Sequence, residues 1–470
     1  MSKVTIIGAG YVGLPTAAHW STVHDVVVYD IMADKIQLAN DVISGKKDQL
    51  HIHEGGLVEK LRQNKNNLTF TTDKEKALMN SELIFVAAGT PENKKGRANL
   101  EYVVAAAKEI GQNINNNCIV INKSTCPPGT AYLVEDTIKE ELKKRNLIFC
   151  YNVSVGSCPE FLAEGTAMKN LHSPDRIVYG SDDESTLKYL RNFFTALHPI
   201  DKLVEMDTVS AEVTKYVANC ALAKDISFMN QFTELFDIIG ANTENVRRGI
   251  VKDSRLGSFY RAGMGYGGSC FGKDTSAIYE LAKIYGIDLS IIGETINVNK
   301  GMPIRFHEKI NSHFGETYTN NLEGKTFGLW GIGFKANTDD LRDSKSVELA
   351  NDLMECGAKL HIFDNIRGAL DNFPKVAKFE NYTICKDQYD IPDIDGLIIG
   401  NEAELFRSPN PSKLNMKHKV IFDGKNCISD YVVHNLKEEG FIYKSIGRDV
   451  LGKPVDKQML IDTLRDKYMS

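Results

Sequence analysis

The chain has 470 residues, a formal net charge of −6 and 25% charged residues, which is typical of a globular protein with two or three domains. It has no basic excess that would indicate nucleic-acid binding, and no apolar run approaches the roughly 18 residues of a membrane-spanning helix. Its nine cysteines occur singly, and no charged-then-apolar leader opens the sequence. These features predict a cytoplasmic protein with reduced thiols, with neither nucleic acid nor membrane as a partner.

The N-terminal sequence predicts a dinucleotide-binding unit. An apolar, β-branched run from Val4 to Ile7 indicates a buried parallel strand, and a helix-forming segment extends to about Ser21. A second strand, Val26–Tyr29, ends in Asp30, about 20 residues beyond the first glycine, as the dinucleotide motif requires. The turn after the first strand carries the glycine pattern of that motif, formed by Gly8, Ala9, Gly10, Tyr11, Val12 and Gly13.

This arrangement predicts NAD as the cofactor. The glycines let the backbone approach a pyrophosphate at the N-terminus of the helix. Asp30 can bind both hydroxyls of a ribose and would repel a 2′-phosphate, which favours NAD over NADP. Lys35 either borders the adenosine ribose or is a solvated surface lysine.

Two later strands bring threonines to the same crevice. The run Leu83–Ala88 precedes Thr90, and the run Cys118–Ile121 precedes a Lys-Ser-Thr sequence that ends at Thr125. Ligands of open α/β sheets bind at the carboxyl ends of the strands, so both threonines are expected to face the cofactor. Taken singly, each threonine would by default be interpreted as a loop residue or a helix cap.

Another strand, Val153–Val155, leads to two acidic residues. Glu160 and Glu164 follow a proline and are four residues apart, so a helix would place them on one face. Such a pair most often belongs to a solvated surface.

A proline-free segment from about Ser210 to Ile239 has apolar residues at helical spacing. A helix of about 30 residues would span ~45 Å, enough to connect two domains. Lys215 and Asn219 are neighbours on this helix. The pair could be surface residues, but both lie among apolar residues, where an unpaired lysine would be costly.

The segment Gly263–Asp274 is rich in glycine and contains Cys270, followed by Lys273 and Asp274. A helical pattern begins at Thr275, so Cys270 is expected where a glycine loop meets a helix N-terminus. That position lowers the pKa of a thiol and favours the thiolate. The alternative is a glycine-rich turn with an inert, buried cysteine.

The C-terminal part repeats the N-terminal architecture. The helical pattern weakens over residues 302–321, which we interpret as the approach to another domain. A strand, Lys325–Trp330, precedes a second glycine turn that lacks a third glycine, and a helix, Ser346–Cys356, follows. Further strands are predicted at Leu360–Phe363, which ends in Asp364, at Leu397–Ile399 and at Val420–Phe422.

The predicted fold class is α/β, with two Rossmann-like, doubly wound parallel sheets joined by a long central helix. The predicted domains are an NAD-binding domain over 1–205, a helical central domain over 206–300, a second Rossmann-like domain over 320–448 and a short amphipathic tail over 449–470.

From about Lys3 to Arg448 the sequence resembles the UDP-glucose/GDP-mannose dehydrogenase family. The resemblance rests on separated motifs rather than on one pattern. These are the glycine turn at 8–13, Gly89–Pro91, Lys123–Thr125, Pro159–Gly165, Lys215 with Asn219, Gly267–Phe271 with Lys273 and Asp274, and Phe334–Lys335 through Arg342–Ser344.

The resemblance implies an NAD-dependent enzyme that oxidises the C6 alcohol of a nucleotide sugar to a carboxylate. Cys270 would form a thiohemiacetal and then a thioester. Lys215 and Asn219 would hold the oxyanion, and Asp274 would act with a water in proton transfer. Glu160 would be the general base of thioester hydrolysis. Thr125 would help to position the water.

The resemblance also implies that the domain over 206–300 is a dimerisation domain and that the domain over 320–448 binds the nucleotide sugar. It assigns binding residues as well, and no metal. On the cofactor side it implies Glu164, Lys273 and Arg342, together with Thr90 and Thr125. Arg255 matches an arginine that reaches the site of a partner subunit, so a homodimer or higher homo-oligomer is expected. The remaining implied substrate-binding residues are Phe161, Leu162, Phe259, Gly267, Phe334, Lys335 and Lys425.

UDP-glucose is the expected substrate, because Ser269 stands where the N-acetylhexosamine branch carries a histidine. The alternatives are the same reaction on GDP-mannose or a UDP-N-acetylhexosamine, and a non-catalytic NAD-binding scaffold. Five residues depart from the family pattern and put the sugar in question: Gly55, Cys158, Asp225, Gly272 and Lys425.

Overall fold

The computed structural model describes residues 3–93, 96–315, 321–448 and 456–468. It divides into two compact units. Unit 1 comprises the chain as far as Ala218 and the segment Ser276–Gly286. Unit 2 comprises Asn219–Thr275 and the chain from Ile287 onward.

Unit 1 is built on a twisted sheet with the strand order β3-β2-β1-β4-β5-β6-β7-β8. All neighbouring strands are parallel except β6 and β7, which pair antiparallel. Within the described residues the strands are β1 (Lys3–Ile7), β2 (Asp25–Tyr29), β3 (Leu68–Thr71), β4 (Leu83–Val86), β5 (Cys118–Asn122), β6 (Val153–Ser157), β7 (Ile177–Gly180) and β8 (Leu203–Met206).

Helices follow most of these strands, and the sheet is buried on both faces. In β4, Leu83 and Phe85 pack into one apolar core, whereas Ile84 and Val86 pack into another. Alternate side chains of a strand point to opposite faces, so the two cores lie on the two sides of the sheet. The helices are α1 (Gly13–Trp20), α2 (Ala33–Ile43), α3 (Leu57–Gln63), α4 (Lys74–Leu78), α5 (Glu101–Asn113), α6 (Thr130–Lys144), α7 (Ala167–His172) and α8 (Glu184–Thr195).

Unit 2 contains a second sheet, and its order β11-β10-β9-β12-β13-β14 is parallel throughout. Its two faces are also covered, because Ile398 packs into one core and Leu397 into another. Within the described residues the strands are β9 (Thr326–Trp330), β10 (Lys359–Phe363), β11 (Tyr382–Ile384), β12 (Gly396–Ile399), β13 (Val420–Asp423) and β14 (Ile442–Ser445).

The predicted pair of Rossmann-like sheets and the long helix are confirmed. The long helix is α9 (Thr208–Ile239), which contributes residues to both units, as does α11 (Gly268–Ile284). The other helices of the second half are α10 (Thr243–Ile250), α12 (Ser290–His313), α13 (Lys345–Glu355), α14 (Arg367–Asn372), α15 (Asp430–Glu438) and α16 (Lys457–Tyr468). Short 3₁₀ turns lie at Lys65–Asn67, Ile200–Lys202, Phe373–Lys375, Glu404–Phe406 and Pro411–Lys413.

The segment interpreted as the approach to the C-terminal domain is largely helical. Although the helical pattern weakens over 302–321, α12 continues through Pro303 to His313. Met302, Phe306 and Ile310 are buried in the core of unit 2, so packing compensates for the backbone hydrogen bond that the proline removes. Of the predicted tail, residues 449–455 and 469–470 lie outside the described residues.

Among the helices that the structure describes, none is both long enough and apolar enough to span a bilayer.

Candidate functional site

The turn between β1 and α1 contains three glycines, and the physical reason for glycine differs from one position to the next. Gly8 has φ +114°, and a Cβ there would lie 2.4 Å from the carbonyl oxygen of Ala87. A Cβ on Gly13 would lie 1.9 Å from the carbonyl oxygen of Gly8. A Cβ on Gly10 would meet nothing within 4 Å. Packing therefore requires Gly8 and Gly13, whereas Gly10 borders open space where a ligand could approach the backbone.

The neighbouring groups fit a dinucleotide. Helix α1 begins at Gly13 with no side-chain cap, and Tyr11 and Val12 lead into its first turn. A helix N-terminus of this kind favours a phosphate. The Asp30 carboxylate accepts hydrogen bonds from the amides of Ala9 (2.8 Å) and Met32 (2.9 Å). A carboxylate accepts about four hydrogen bonds, so half-buried Asp30 retains capacity for ribose hydroxyls.

The structure brings the ends of β4 and β5 together. The Thr90 hydroxyl donates to the carbonyl oxygen of Thr125 at 2.8 Å, and the Ser124 hydroxyl donates to that of Ala88 at 2.7 Å. Both predicted threonines therefore lie at the carboxyl edge of the sheet. Lys35 lies on α2 and is half-buried.

The prediction that Glu160 and Glu164 lie on a helix is wrong. The chain between β6 and α7 is irregular, because its polar groups are bonded locally and to Glu54. The Glu160 carboxylate accepts from the Leu162 amide at 2.5 Å, and Glu54 accepts from the amides of Gly165 and Ala167. Glu160 is buried as a consequence, whereas Glu164 is half-buried in the following turn.

Glu160 is paired with the predicted lysine of α9. Its Oε1 lies 3.2 Å from the Nζ of Lys215, and the two side chains are 7% and 5% exposed. The ring of Phe161 lies beside this pair, with the Arg176 guanidinium 3.9 Å and the Lys215 ammonium 5.4 Å from its centroid. Lys215 is thus a buried cation with a carboxylate partner, not a surface residue.

In unit 2, α11 begins at Gly268, seven residues before the predicted start at Thr275, so half-buried Cys270 lies in its first turn. The Ser269 hydroxyl is 3.6 Å from its sulfur. The glycine loop before it is held tightly: a Cβ on Gly267 would lie 2.1 Å from the Asp343 carbonyl oxygen, and the Gly268 amide donates to that of Arg342. Cys270 is therefore presented by a fixed backbone.

Asp274 is 1% exposed and contacts two other predicted site residues. Its carboxylate accepts from the Asn219 amide nitrogen at 2.6 Å and from the Lys273 ammonium at 2.5 Å. The structure therefore joins residues of α9 and α11 that are far apart in the sequence.

Other predicted residues have different surroundings. The Phe334 ring packs on Gly268, and the Lys335 ammonium lies 5.3 Å from that ring. The Lys425 ammonium is 3.5 Å from the Gly265 carbonyl oxygen.

Two of the predicted arginines are held by nearby aspartates. Arg342 makes a bidentate ion pair with Asp340, and Arg255 makes one with Asp253. The Arg255 side chain is 86% exposed. Phe259 is also exposed and stacks edge-on against Phe271.

Sequence reasoning missed several residues that shape these sites. His51 places its Nε2 2.8 Å from the Ala9 carbonyl oxygen, and Asn299 bonds both the amide and the carbonyl of Tyr266 in the cysteine loop. Neither residue belongs to a motif. Lys123 was noted only as part of Lys-Ser-Thr, yet it is a buried cation.

Family models match most of the chain. Residues 2–198 match the NAD binding domain of the UDP-glucose/GDP-mannose dehydrogenase family, 209–301 its central domain and 328–430 its UDP binding domain.

Relatives and solved structures agree with these matches. The chain is 35% identical to a UDP-glucose 6-dehydrogenase of Pseudomonas aeruginosa, with 96% of this chain and 98% of that protein covered. It is 36% identical to UDP-glucose 6-dehydrogenase YwqF of Bacillus subtilis, covering 95% and 98%. A solved UDP-glucose dehydrogenase of Pyrobaculum islandicum superposes with a TM-score of 0.83 at 31% identity, covering 95% and 98%.

Proposed function

The chain belongs to the UDP-glucose/GDP-mannose dehydrogenase family and is an NAD-dependent nucleotide-sugar dehydrogenase; from this premise we propose that it oxidises the C6 alcohol of UDP-glucose to a carboxylate through an acyl intermediate on Cys270. The observation that carries the proposal is the position of Cys270, on a fixed glycine loop in the first turn of α11, in a chain similar along its length to UDP-glucose 6-dehydrogenases.

Cys270 is the proposed nucleophile. The unpaired amides and the dipole of a helix N-terminus favour a thiolate, which is a strong nucleophile near neutral pH. Its attack on the aldehyde-level carbon forms a thiohemiacetal, and oxidation of that adduct forms a thioester. NAD+, when bound, accepts a hydride from C6 in each of the two oxidations.

Lys215 and Asn219 are the proposed donors to the oxyanion that forms when the thiolate adds. Lys215 has three N–H donors and Asn219 two, and their bonds to Glu160 and Asp274 hold the two side chains in place. Both are buried, and preorganised donors in a buried setting stabilise a developing charge strongly.

Glu160 is the proposed general base of hydrolysis, Asp274 acts with a water in proton transfer, and Thr125 helps to position the water. In hydrolysis, the water oxygen bonds to the thioester carbon and one water proton passes to Glu160. The carbon–sulfur bond then breaks, and the proton of the new acid passes to the departing sulfur. The products are a carboxylate, the Cys270 thiol and a protonated Glu160.

The binding residues are proposed from the same family positions. For the cofactor we propose the glycine turn, Asp30 and Lys35, with Thr90, Thr125, Glu164, Lys273 and Arg342. For the nucleotide sugar we propose Phe161, Leu162, Arg255, Phe259, Gly267, Phe334, Lys335 and Lys425.

The covalent mechanism is tested by the stoichiometry and by trapping. We expect two NADH per UDP-glucose, a carboxylate product and no accumulated aldehyde. Cys270→Ala should lose acid formation almost wholly. Glu160→Gln should leave an adduct of sugar-nucleotide mass on Cys270, visible by intact-protein mass spectrometry after quenching. Cys150→Ala, at an exposed cysteine, is the control and should behave as wild type. One NADH per sugar, or a normal acid yield from Cys270→Ala, would refute the mechanism.

The sugar is tested separately. Kinetics with UDP-glucose, GDP-mannose and UDP-N-acetylglucosamine should give the highest kcat/KM for UDP-glucose. A faster reaction with either of the others would leave the reaction class intact and change the substrate.

Assembly as a homodimer is proposed from α9. Phe228, Phe232, Leu235 and Ile238 are exposed on this helix in unit 2, although they are large and apolar. A partner subunit that covers them would also explain the exposed Arg255, which we propose contributes to the partner's substrate site. Light scattering should give at least a dimer, whereas a fully active monomer at assay concentration would exclude this arrangement.

A further inference from the structure

Lys123 is a buried cation to which the proposed reaction gives no role. It follows β5 directly and is 6% exposed. Its ammonium is 3.5 Å from the carbonyl oxygen of Cys158 and 4.0 Å from the Cys158 sulfur, and it lies 5.9 Å from the centroid of the Trp20 ring. Among the described residues, no carboxylate lies within ion-pair distance of it.

A cavity of about 70 Å³ adjoins this ammonium within unit 1. It also borders Glu160, the proposed general base, and extends to the exposed Asp175. A water occupies about 30 Å³ in the liquid, so the cavity has room for about two. The polar residues that line it include Lys123, Glu160, Asn170, Asp175, Arg176 and His198.

The energetics of the lysine require further acceptors. An ammonium has three N–H groups, and here its hydrogen-bond contacts are two long ones, to the carbonyl oxygen and the sulfur of Cys158. Burying a charge without hydrogen-bond partners is costly, and polar cavities hold water whereas apolar ones stay dry. Water in the cavity would supply the missing acceptors.

We propose that water in this cavity links the Lys123 ammonium to the Glu160 carboxylate, and that Lys123 is a positioning residue that keeps Glu160 ionised and hydrogen-bonded for thioester hydrolysis. The inference rests on the proposed function, because it assigns Lys123 to the step in which Glu160 accepts a proton from the attacking water. The cavity also gives protonated Glu160 a route to return that proton to solvent.

Other charged groups meet Glu160 or the cavity and enter the pH dependence. Lys215 of α9 pairs directly with Glu160, and Arg176, Asp175 and His198 border the cavity. Burial lowers the pKa of His198, whose Nε2 is 3.1 Å from that of His19, and so disfavours its charged form. Arg176 is half-buried, so Lys123 is the more deeply buried cation on the cavity side.

The test compares Lys123→Met with Lys123→Arg. Lys123→Met should slow thioester hydrolysis at least tenfold, so that the adduct on Cys270 accumulates. The acidic limb of the pH–rate profile for acid formation should move to higher pH, because Glu160 loses a neighbouring positive charge. Lys123→Arg keeps the charge and should keep the wild-type acidic limb. Lys139→Met, at an exposed lysine, is the matched control and should leave both readouts unchanged.

The outcomes separate this inference from the proposed function. If Glu160→Gln traps no adduct, the proposed function fails. If Glu160→Gln traps it and Lys123→Met has a wild-type acidic limb without an adduct, the role of Lys123 is overturned. An equal loss in Lys123→Met and Lys123→Arg, with an unmoved acidic limb, would mean that Lys123 serves packing alone and would also overturn it.

A second measurement does not depend on a variant that folds. A high-resolution crystal structure of the wild-type protein should show one or two ordered waters that connect the Lys123 Nζ to the Glu160 carboxylate. A dry cavity, or waters that contact only one of the two groups, would overturn the inference.

Discussion

The two sheets share the central strand order of a Rossmann fold, but their first turns are built differently. In unit 1, five residues connect β1 to α1, which starts at Gly13 without a side-chain cap. In unit 2, the connection from β9 to α13 runs from 331 to 344, and the Ser344 hydroxyl accepts from the Val347 amide and caps the helix. The first helix N-terminus is open to an anion, whereas the second is satisfied by its own chain.

The aspartate that follows the second strand also differs between the two units, and again only the one in unit 1 is accessible to a ligand. Asp30 is half-buried and accepts two backbone amides. Asp364 is 3% exposed and accepts from the amides of Ile332, Gly333 and Ile366 and from the side chain of Asn401. Its hydrogen-bonding capacity is used, so it fastens the turn and cannot bind a ribose.

The comparison teaches that topology alone does not define a dinucleotide site. The same strand–turn–helix unit binds a cofactor when the turn is short, the helix is uncapped and the acid is accessible. In unit 2 the longer connection instead carries Phe334 and Arg342, which we propose face the substrate and the cofactor.

Gly13→Ala should have the largest effect, because it disrupts the turn between β1 and α1. Its new Cβ would meet the Gly8 carbonyl oxygen, which is backbone and cannot rotate away, so the turn must open. We expect a loss of more than about 5 kcal/mol in the stability of unit 1, or no folding. Thermal unfolding by circular dichroism measures it. Gly10→Ala is the matched control: it should fold normally and weaken NAD binding by about tenfold or more, since its Cβ occupies the ligand side. A stable Gly13→Ala protein would contradict this reading of the turn.

Asp364→Ala should cause the next largest loss of stability. It leaves the buried amides of Ile332, Gly333 and Ile366 without their acceptor, and each orphaned donor costs about 1–3 kcal/mol, for a total of about 4 kcal/mol. Hydrogen exchange should show the loss in unit 2, while NAD affinity stays at the wild-type value. If NAD affinity fell instead, Asp364 would have a ligand role that its burial argues against.

The pH dependence of stability should also separate the units. Glu212 accepts from the amides of Gly129 and Ala131 at the start of α6, and burial raises its pKa to about 7. Because the folded-state pKa lies above the unfolded value, this contribution is fully present below about pH 4.5 and is lost as pH rises through 7.

Glu212→Gln should remove this dependence. Relative to the variant, the wild-type α6 should lose up to about 3 kcal/mol of protection between pH 4.5 and pH 8 in hydrogen exchange. Amides of α15 serve as the internal control, because the Ser429 hydroxyl that caps this helix does not titrate. Parallel pH curves for wild type and variant would disprove the assignment.

The smallest expected effect is on cofactor choice. Wild type should prefer NAD+ over NADP+ by at least tenfold in kcat/KM, about 1.4 kcal/mol, because Asp30 repels a 2′-phosphate. Asp30→Ala should narrow this ratio, and Asp364→Ala should leave it unchanged in whatever fraction folds. Equal use of both cofactors by the wild type would remove the role given to Asp30.

The sequence by itself determined the elements and the local motifs. The glycine turn at 8–13, the length of α9 and the presence of a helix next to the loop of Cys270 follow from patterns within about 30 residues, where periodicity and turn chemistry act directly. The resemblance to the family also singled out Glu160, Lys215, Asn219 and Asp274 as candidate site residues.

Only the tertiary structure decided how those residues are paired and buried. Glu160 meets Lys215, and Asn219 meets Asp274, across 55 residues in each case. The irregular chain around Glu160, the continuation of α12 through Pro303 and the cavity beside Lys123 likewise depend on packing. Local propensity cannot predict them, because the free energy that fixes each one comes from contacts between segments that are distant in the sequence.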